Sequence, residues 1–472
     1  MSFVSLAFLI LFVVTYALCR VFKGRTQRHI ILLIASYVFY GYWDIRFLLL
    51  LIGQTFISYA LALKIESETN RRSARLLCAV GVSCSLLILG FFKYFNFFIE
   101  SASRLLGMAE FSALNIILPV GISFYTFQAL SYLLDVYRGK LHARRSFVKI
   151  SLYITFFPQL VAGPIVRAET FLPQLDHDQV MTKGNLLEGI QIFLFGLVKK
   201  VVIADRLALC VDAVFDAPAS YNGLSIMLAV IAYSIQIYCD FSGYSDMAIG
   251  VARVFDFELC RNFDMPYISK NPTEFWRRWH ISLSQWLRDY LYISIGGNRK
   301  GKARTYINLM VTMLLGGLWH GANWTFVVWG GLHGLALVVH KFFVEARQQQ
   351  GLAVKGKVPR AVITGLSVLA TYIFTCVCWV FFRAETVPDA MSILGRMLTN
   401  APGVAYYYVF IPIFVLVIGV AFVMGMVRNA WSGYYPVLDI GKFQGQFIVA
   451  FVVFMTLIFF YAGDTAFIYF QF

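Results

Sequence analysis

This chain is short of charge. Only 14% of its 472 residues are Asp, Glu, Lys or Arg, where a soluble domain carries roughly 25%. A shortage of that size excludes a water-facing surface over most of the molecule. Acid is scarcer than base, at 25 Asp and Glu against 40 Lys and Arg, a net charge of +15. The excess is spread over many loops and forms no single basic domain, which argues against a nucleic-acid partner. It suits loops that meet anionic headgroups, or a surface for an anionic donor such as a nucleotide thioester or an acidic carrier protein. Metal and redox signatures are missing too. The eight cysteines form no C-x-x-C pair and stand mostly in apolar runs. Cys376-Val377-Cys378 is too lipophilic for zinc, so no metal site is expected and the cysteines read as small hydrophobes. There is no G-x-S-x-G elbow and no H-E-x-x-H motif, and Gly296–Lys302 lacks the spacing of a phosphate-binding loop. Serine-nucleophile and metal chemistry are therefore unsupported. Internal repeats and low-complexity tracts are also lacking, and the expected organisation is one membrane-embedded domain over residues 1–472, its catalytic core at about 115–340.

What the chain does have is apolar length. Charge-free runs recur at Met1–Cys19, His29–Trp43, Phe47–Leu63, Leu76–Phe92, Phe111–Leu134, Ile150–Val166, Ala217–Cys239, Thr305–His340, Ala361–Phe382, Asn400–Val427 and Phe443–Gly463. A spanning helix takes about 20 apolar residues, which predicts an all-α polytopic integral membrane protein of about 11–12 transmembrane helices, with re-entrant or interfacial helices besides. Thr305–His340 is long enough for two helices, broken near Gly316-Gly317 or Gly321. The first run has no leading Lys or Arg, so it is not a cleavable signal. Arg20, Lys23, Arg25 and Arg28 follow it. By the positive-inside rule that flank is cytoplasmic, as are the loops at 71–75, 138–149 and 341–360, and the N-terminus is outside.

Polar interruptions of this apolar background mark the candidate site. His320, in Leu318-Trp319-His320-Gly321, falls inside the charge-free Thr305–His340 run, where a titratable group costs free energy and points to chemistry or transport. Trp319, Asn323, Trp324 and His333 stand near it in sequence. A second histidine, His280, ends the segment Glu274-Phe275-Trp276-Arg277-Arg278-Trp279-His280. Asn271-Pro272-Thr273-Glu274 is a helix start, with Asn as cap, Pro at the first helical position and Glu reaching back. The helix is expected to run to about Ile295 and stop at Gly296-Gly297, with Trp276, His280 and Ser284 on one face. Tryptophans around His280 favour its neutral form. Asp240-Phe241-Ser242-Gly243-Tyr244-Ser245-Asp246 interrupts another apolar segment, and Gly243 permits a break there. Pro119–Gly121 and Pro158–Pro164 give similar break signals. A neutral histidine can serve as a general base. A transporter or proton relay through His280, His320, Asp240 and Asp246 is a rival reading, weakened by the lack of repeat symmetry. A pure scaffold would leave both histidines without a reason.

Seven pieces in chain order carry a resemblance. They are Leu118–Gln128, Phe157–Ile165, Asp240–Asp246, Asn262-Phe263 with Pro266-Tyr267, Phe275–Ser284 with Arg288-Asp289-Tyr290, Leu318–Gly321, and Phe467–Phe472. Together they resemble the membrane-bound O-acyltransferase family, in its bacterial branch that acylates extracellular polymers: alginate O-acetyltransferases and, more distantly, D-alanyl transferases. The resemblance implies a curved wall of transmembrane helices around a site reached from both faces. His320 matches the family's membrane histidine and His280 the second histidine of this branch. The implied reaction takes an acyl group, acetyl first among candidates, from a cytoplasmic thioester, either acetyl-CoA or an acyl-carrier-protein thioester, with no bound cofactor. The acyl group would leave towards a periplasmic or extracellular polysaccharide such as alginate, or a partner acetyltransferase; D-alanyl, peptidoglycan or cellulose acylation are alternatives on the same fold. The implied location is the bacterial inner membrane. Trp276, Arg277, Arg278, Ser284, Arg288, Tyr244, Asp246, Trp319 and Asn323 are the candidates for binding or orienting substrate and donor.

Overall fold

A computed structural model describes residues 1–107, 114–350, 359–428, 435, 437–460 and 467. Helices carry the regular structure of the described residues, and the one extended pairing recorded among them is a single bridge between Tyr221 and Val404. That follows from solvation. In hydrocarbon, backbone N–H and C=O groups must be satisfied within their own segment, and a helix does so. Five helices are long and apolar enough to cross a membrane: Ile45–Ser67, Arg71–Leu106, Gly223–Val254, Trp324–Ala346 and Arg360–Arg383. Leu6–Val21, Tyr407–Gly419 and Phe443–Phe459 are shorter apolar helices.

Five long helices among the described residues are fewer than the charge-free runs suggest: some runs are divided, and others form shorter helices such as Leu6–Val21, Arg25–Gly41 and Phe443–Phe459. Within Ile150–Val166 the Phe147–Thr155 helix gives way at Phe156 to irregular, buried chain through Pro158 and Pro164. In Phe111–Leu134 the helix begins only at Ile122, after Pro119 and a left-handed Gly121. The Thr305–His340 run splits at Gly321 between the helices Lys302–His320 and Trp324–Gln350. The Gly243 break does not occur: Gly223–Val254 is one continuous helix of 32 residues. A mid-helix glycine costs only about 1 kcal/mol, and a helix buried along two thirds of its apolar window retains more than that in packing. Residues 111–113 of the second run and 468–472 of the terminal motif lie outside the described residues.

The chain forms two compact units, each drawn from three segments. The first comprises Met1–Leu197, Tyr244–Cys260 and Val437–Val449. It is cored by phenylalanines, with Phe156, Phe171 and Phe257 in mutual contact at 5.0–5.4 Å between rings. The second comprises Val198–Gly243, Arg261–Pro436 and Ala450–Phe472. In it, Gly317 and Gly330 let the Lys302–His320 and Trp324–Gln350 helices touch backbone to backbone. A Cβ at Gly317 would strike the Phe326 carbonyl, and one at Gly330 the Met313 carbonyl. Small residues at such a crossing are how helices approach closely in lipid. The same crossing carries His320 and Trp329 on adjacent helices.

Candidate active site in the second unit

Asn271 caps the Pro272–Arg278 helix as its sequence requires, its Oδ1 accepting from the Glu274 N–H at 2.8 Å. Glu274 reaches back one residue further than expected, to the Lys270 N–H at 3.0 Å, and pairs with Arg278. The helix does not continue to Ile295. It ends at Arg278, Trp279 is extended, and His280 takes the left-handed conformation at φ 42°, ψ 56°. Helix resumes over Ile281–Trp286, widens through Leu287–Tyr292 and ends there, short of the expected Ile295; turns follow, with Gly296 and Gly297 at positive φ.

A left-handed histidine costs about 1–3 kcal/mol unless its surroundings hold it there. Asn262 does so. Its carbonyl accepts from the Ile281 N–H at 2.9 Å, and the Arg278 carbonyl accepts from the Asp264 N–H at 2.9 Å. The Asn262 side-chain Oδ1 lies 3.0 Å from His280 Nδ1 and accepts from the Ser282 hydroxyl at 2.9 Å. With a carbonyl-type oxygen as partner, His280 Nδ1 donates, which leaves the lone pair on Nε2. His280 is wholly buried, and desolvation lowers its pKa to about 3, so the imidazole is neutral. The break at His280 also ends the expected shared face. Trp276 and Ser284 line a cavity of about 660 Å³ while His280 turns into the core.

His320 is the last residue of its helix, 4% exposed. Its ring meets Trp319 and Trp329 at 5.1 Å each and Phe382 at 5.3 Å, all nearly edge-on, and His280 at 6.4 Å. Trp319 also contacts His280, at 6.0 Å, and Phe241 meets it at 4.7 Å. Two histidines 40 positions apart in sequence thus share one aromatic enclosure. Such a pair, one member neutral and tautomer-fixed, can accept a proton from a hydroxyl and return it to a leaving group in a site poor in water.

The remaining candidates divide. Trp276, Arg277, Ser284 and Arg288 line the cavity, with Thr273, His340 and Lys341; neither catalytic candidate is among its lining residues. Arg288 is paired with Asp289 at 2.6 Å. Arg278 is occupied by Glu274 and Asp264. Asn323 starts the following helix, its Oδ1 accepting from Thr325 N–H and its Nδ2 donating to the Glu385 carbonyl. Tyr244 and Asp246 belong to the first unit, where Tyr244 is buried and stacks on Phe3 at 4.7 Å. Asp240 is held by Lys200, which also pairs with Asp205 at 2.8 Å and lies 4.2 Å from the Phe467 ring. An aspartate committed to a buried lysine is poorly placed for a proton relay. Asn262, Trp329, Phe382 and Phe241 were not among the sequence candidates. Asn262-Phe263 does stand among the matching motifs, but no spacing rule ties an asparagine to a histidine 18 positions later.

The sequence model of the membrane-bound O-acyltransferase family matches residues 141–382, which span both His280 and His320. A probable alginate O-acetylase of Pseudomonas aeruginosa is 43% identical over 403 residues, 84% of this chain and 75% of that protein. A peptidoglycan O-acetyltransferase of Helicobacter pylori is 39% identical, covering 78% and 73%. A teichoic acid D-alanyltransferase of Bacillus subtilis is 28% identical over 57% of this chain and 70% of its own length.

Proposed function

This chain belongs to the membrane-bound O-acyltransferase family and is a multi-pass membrane O-acyltransferase, and from that premise we propose that it moves an acetyl group from a cytoplasmic thioester to hydroxyls of a polysaccharide outside the cytoplasmic membrane. The observation that carries the reading is the buried pair His280 and His320, ring to ring at 6.4 Å. In the proposed step the hydroxyl oxygen attacks the thioester carbonyl carbon. His320 takes the hydroxyl proton, the C–S bond breaks, and the proton passes to the departing thiolate. His280, held by Asn262 with its lone pair on Nε2, assists by relaying the proton.

The donor is acetyl-CoA or an acetylated carrier protein, with no resident cofactor. The cavity supports an entry for it, since Arg277, Arg288 and Lys341 stand on its wall and both donors carry phosphate. The acceptor is alginate or a related polymer, reached directly or through a partner acetyltransferase on the outer face. The relatives named above favour acetyl over D-alanyl. The N-terminus is outside, because Arg20, Lys23, Arg25 and Arg28 follow the first apolar helix.

His320→Ala in a polymer-producing strain is the test. Polymer O-acetyl content falls by roughly 10²–10⁴-fold in rate terms with the protein present at normal level. Unchanged acetylation at that level would refute the assignment.

A further inference from the structure

A third histidine lies between the cavity and His320, and the mechanism above does not use it. His333 is 1% exposed, and among the described residues neither of its ring nitrogens has a hydrogen-bond partner. It contacts Trp329 at 4.9 Å and Trp276 at 5.1 Å, and those two indoles contact each other at 5.7 Å. The indole Nε1 atoms of Trp276 and Trp329 are likewise buried without a partner among the described residues. Three touching rings therefore bring four unsatisfied polar atoms together, although buried polar atoms are nearly always paired. Phe275, stacked on His333 at 5.8 Å, and Phe374 at 5.4 Å supply only apolar contact.

The position of the triangle narrows what would satisfy it. Trp276 is on the cavity wall, and Trp329 meets the His320 ring. The rings form a continuous path from the cavity to the catalytic candidate. Their hydrogen-bonding inventory narrows it further. Each indole offers one donor and no acceptor, and a neutral imidazole adds one donor and one acceptor. Three donors and one acceptor suit a chain rich in carbonyl oxygens that also carries an amide N–H.

We infer that Trp276, Trp329 and His333 form a binding station for the amide-bearing arm of the acyl donor, the arm that coenzyme A and carrier-protein thioesters have in common. The inference rests on the thioester reading proposed above. It adds residues that hold the donor by its amides and deliver its acyl end to His320.

The experiment compares donors that differ in amides. Purified wild type, Trp276→Phe, Trp329→Phe and His333→Phe are assayed for His320-dependent thioester turnover. The donors are acetyl-CoA, S-acetyl-N-acetylcysteamine with one amide, and S-ethyl thioacetate with none. Phenylalanine keeps an aromatic ring and deletes the polar atoms, and the change in ring size falls on all three donors alike. Trp276→Phe and His333→Phe each lose about 3–10-fold in kcat/KM for the amide donors, the worth of one or two ordinary hydrogen bonds, and lose distinctly less on S-ethyl thioacetate; Trp329→Phe, which also walls His320, adds a general loss on all three donors to the amide-dependent one. Equal loss on all three donors, or none on any, overturns the inference: the rings then serve packing or hold water. If wild type turns over no thioester, the thioester reading falls and this inference with it. If wild type is active and the variants do not discriminate, this inference alone falls. Trp276→Phe and His333→Phe decide the test, because the ring contacts described for His320 are with Trp319, Trp329, Phe382 and His280 rather than with Trp276 or His333.

Discussion

The second unit buries polar groups in two ways. Around Lys200, Asp205 and Asp240 it sets opposite charges against each other, with side chains only 2–8% exposed. Around His280 and His320 it uses imidazoles walled by Trp319, Trp329, Phe241 and Phe382. The ionic cluster spends its polarity on itself, with one lysine shared between two carboxylates. The histidine pair keeps lone-pair chemistry in a dry enclosure. Burial alone does not mark a functional group at bilayer depth; what matters is whether its partners have already neutralised it.

Substitutions that part stability from activity are the sharpest way to break this contrast. His320→Ala should lower acyl transfer by roughly 10²–10⁴-fold yet leave the thermal midpoint in detergent close to wild type. Lys200→Met should do the reverse. It strands two buried carboxylates, at a cost of about 3–5 kcal/mol, so the protein should unfold early or fail to accumulate, and adding Asp205→Asn and Asp240→Asn should restore much of the loss. A stable, inactive Lys200→Met protein would place the lysine in the chemistry instead.

Asn262→Ala probes the restraint on His280. It should lower kcat by about 10-fold, the worth of a good hydrogen bond, with little change in donor KM. A KM effect alone would mean that Asn262 binds donor rather than holding the ring. The pH response follows from burial. His280 titrates near 3 in the folded protein and near 6.5 when unfolded, so the unfolded state binds the extra proton between those values. This contribution is complete above about pH 6.5 and is lost as pH falls towards 3, by up to about 1.4 kcal/mol per pH unit. Comparing wild type with His280→Gln by thermal midpoint from pH 7.5 to 5 should reveal the steeper decline in wild type; parallel curves would contradict it. The smallest effect is expected at the arginines. Arg277→Gln, on the cavity wall, should raise donor KM severalfold, whereas Arg278→Gln should leave KM unchanged and cost within about 1 kcal/mol of stability, as half-exposed ion pairs do.

Much of this was legible in the chain. Lack of charge and long apolar runs announce a helical membrane protein, because lipid leaves the backbone few alternatives. Asn271-Pro272 marks a helix start and Gly296-Gly297 a turn at positive φ, because capping and backbone freedom are local chemistry. His320 stands out because a polar group in such a run is costly, and His280 because it ends a tryptophan-rich segment next to a helix start. Local rules also mislead at two places. Gly243 looks like a break and is helix, since packing along Gly223–Val254 outweighs a glycine's small penalty. His280 looks like mid-helix and is the break itself, since Asn262, 18 residues away, holds the turn open. Propensity, period and hydropathy act over a few residues, so residue order alone is enough to read membrane class, caps and the conspicuous histidines. The 6.4 Å pairing of His280 with His320, the tautomer imposed by Asn262 and the His333 triangle depend on side chains from separate segments meeting in one core. No short-range rule encodes such meetings, because their energy exists only once the helices have packed.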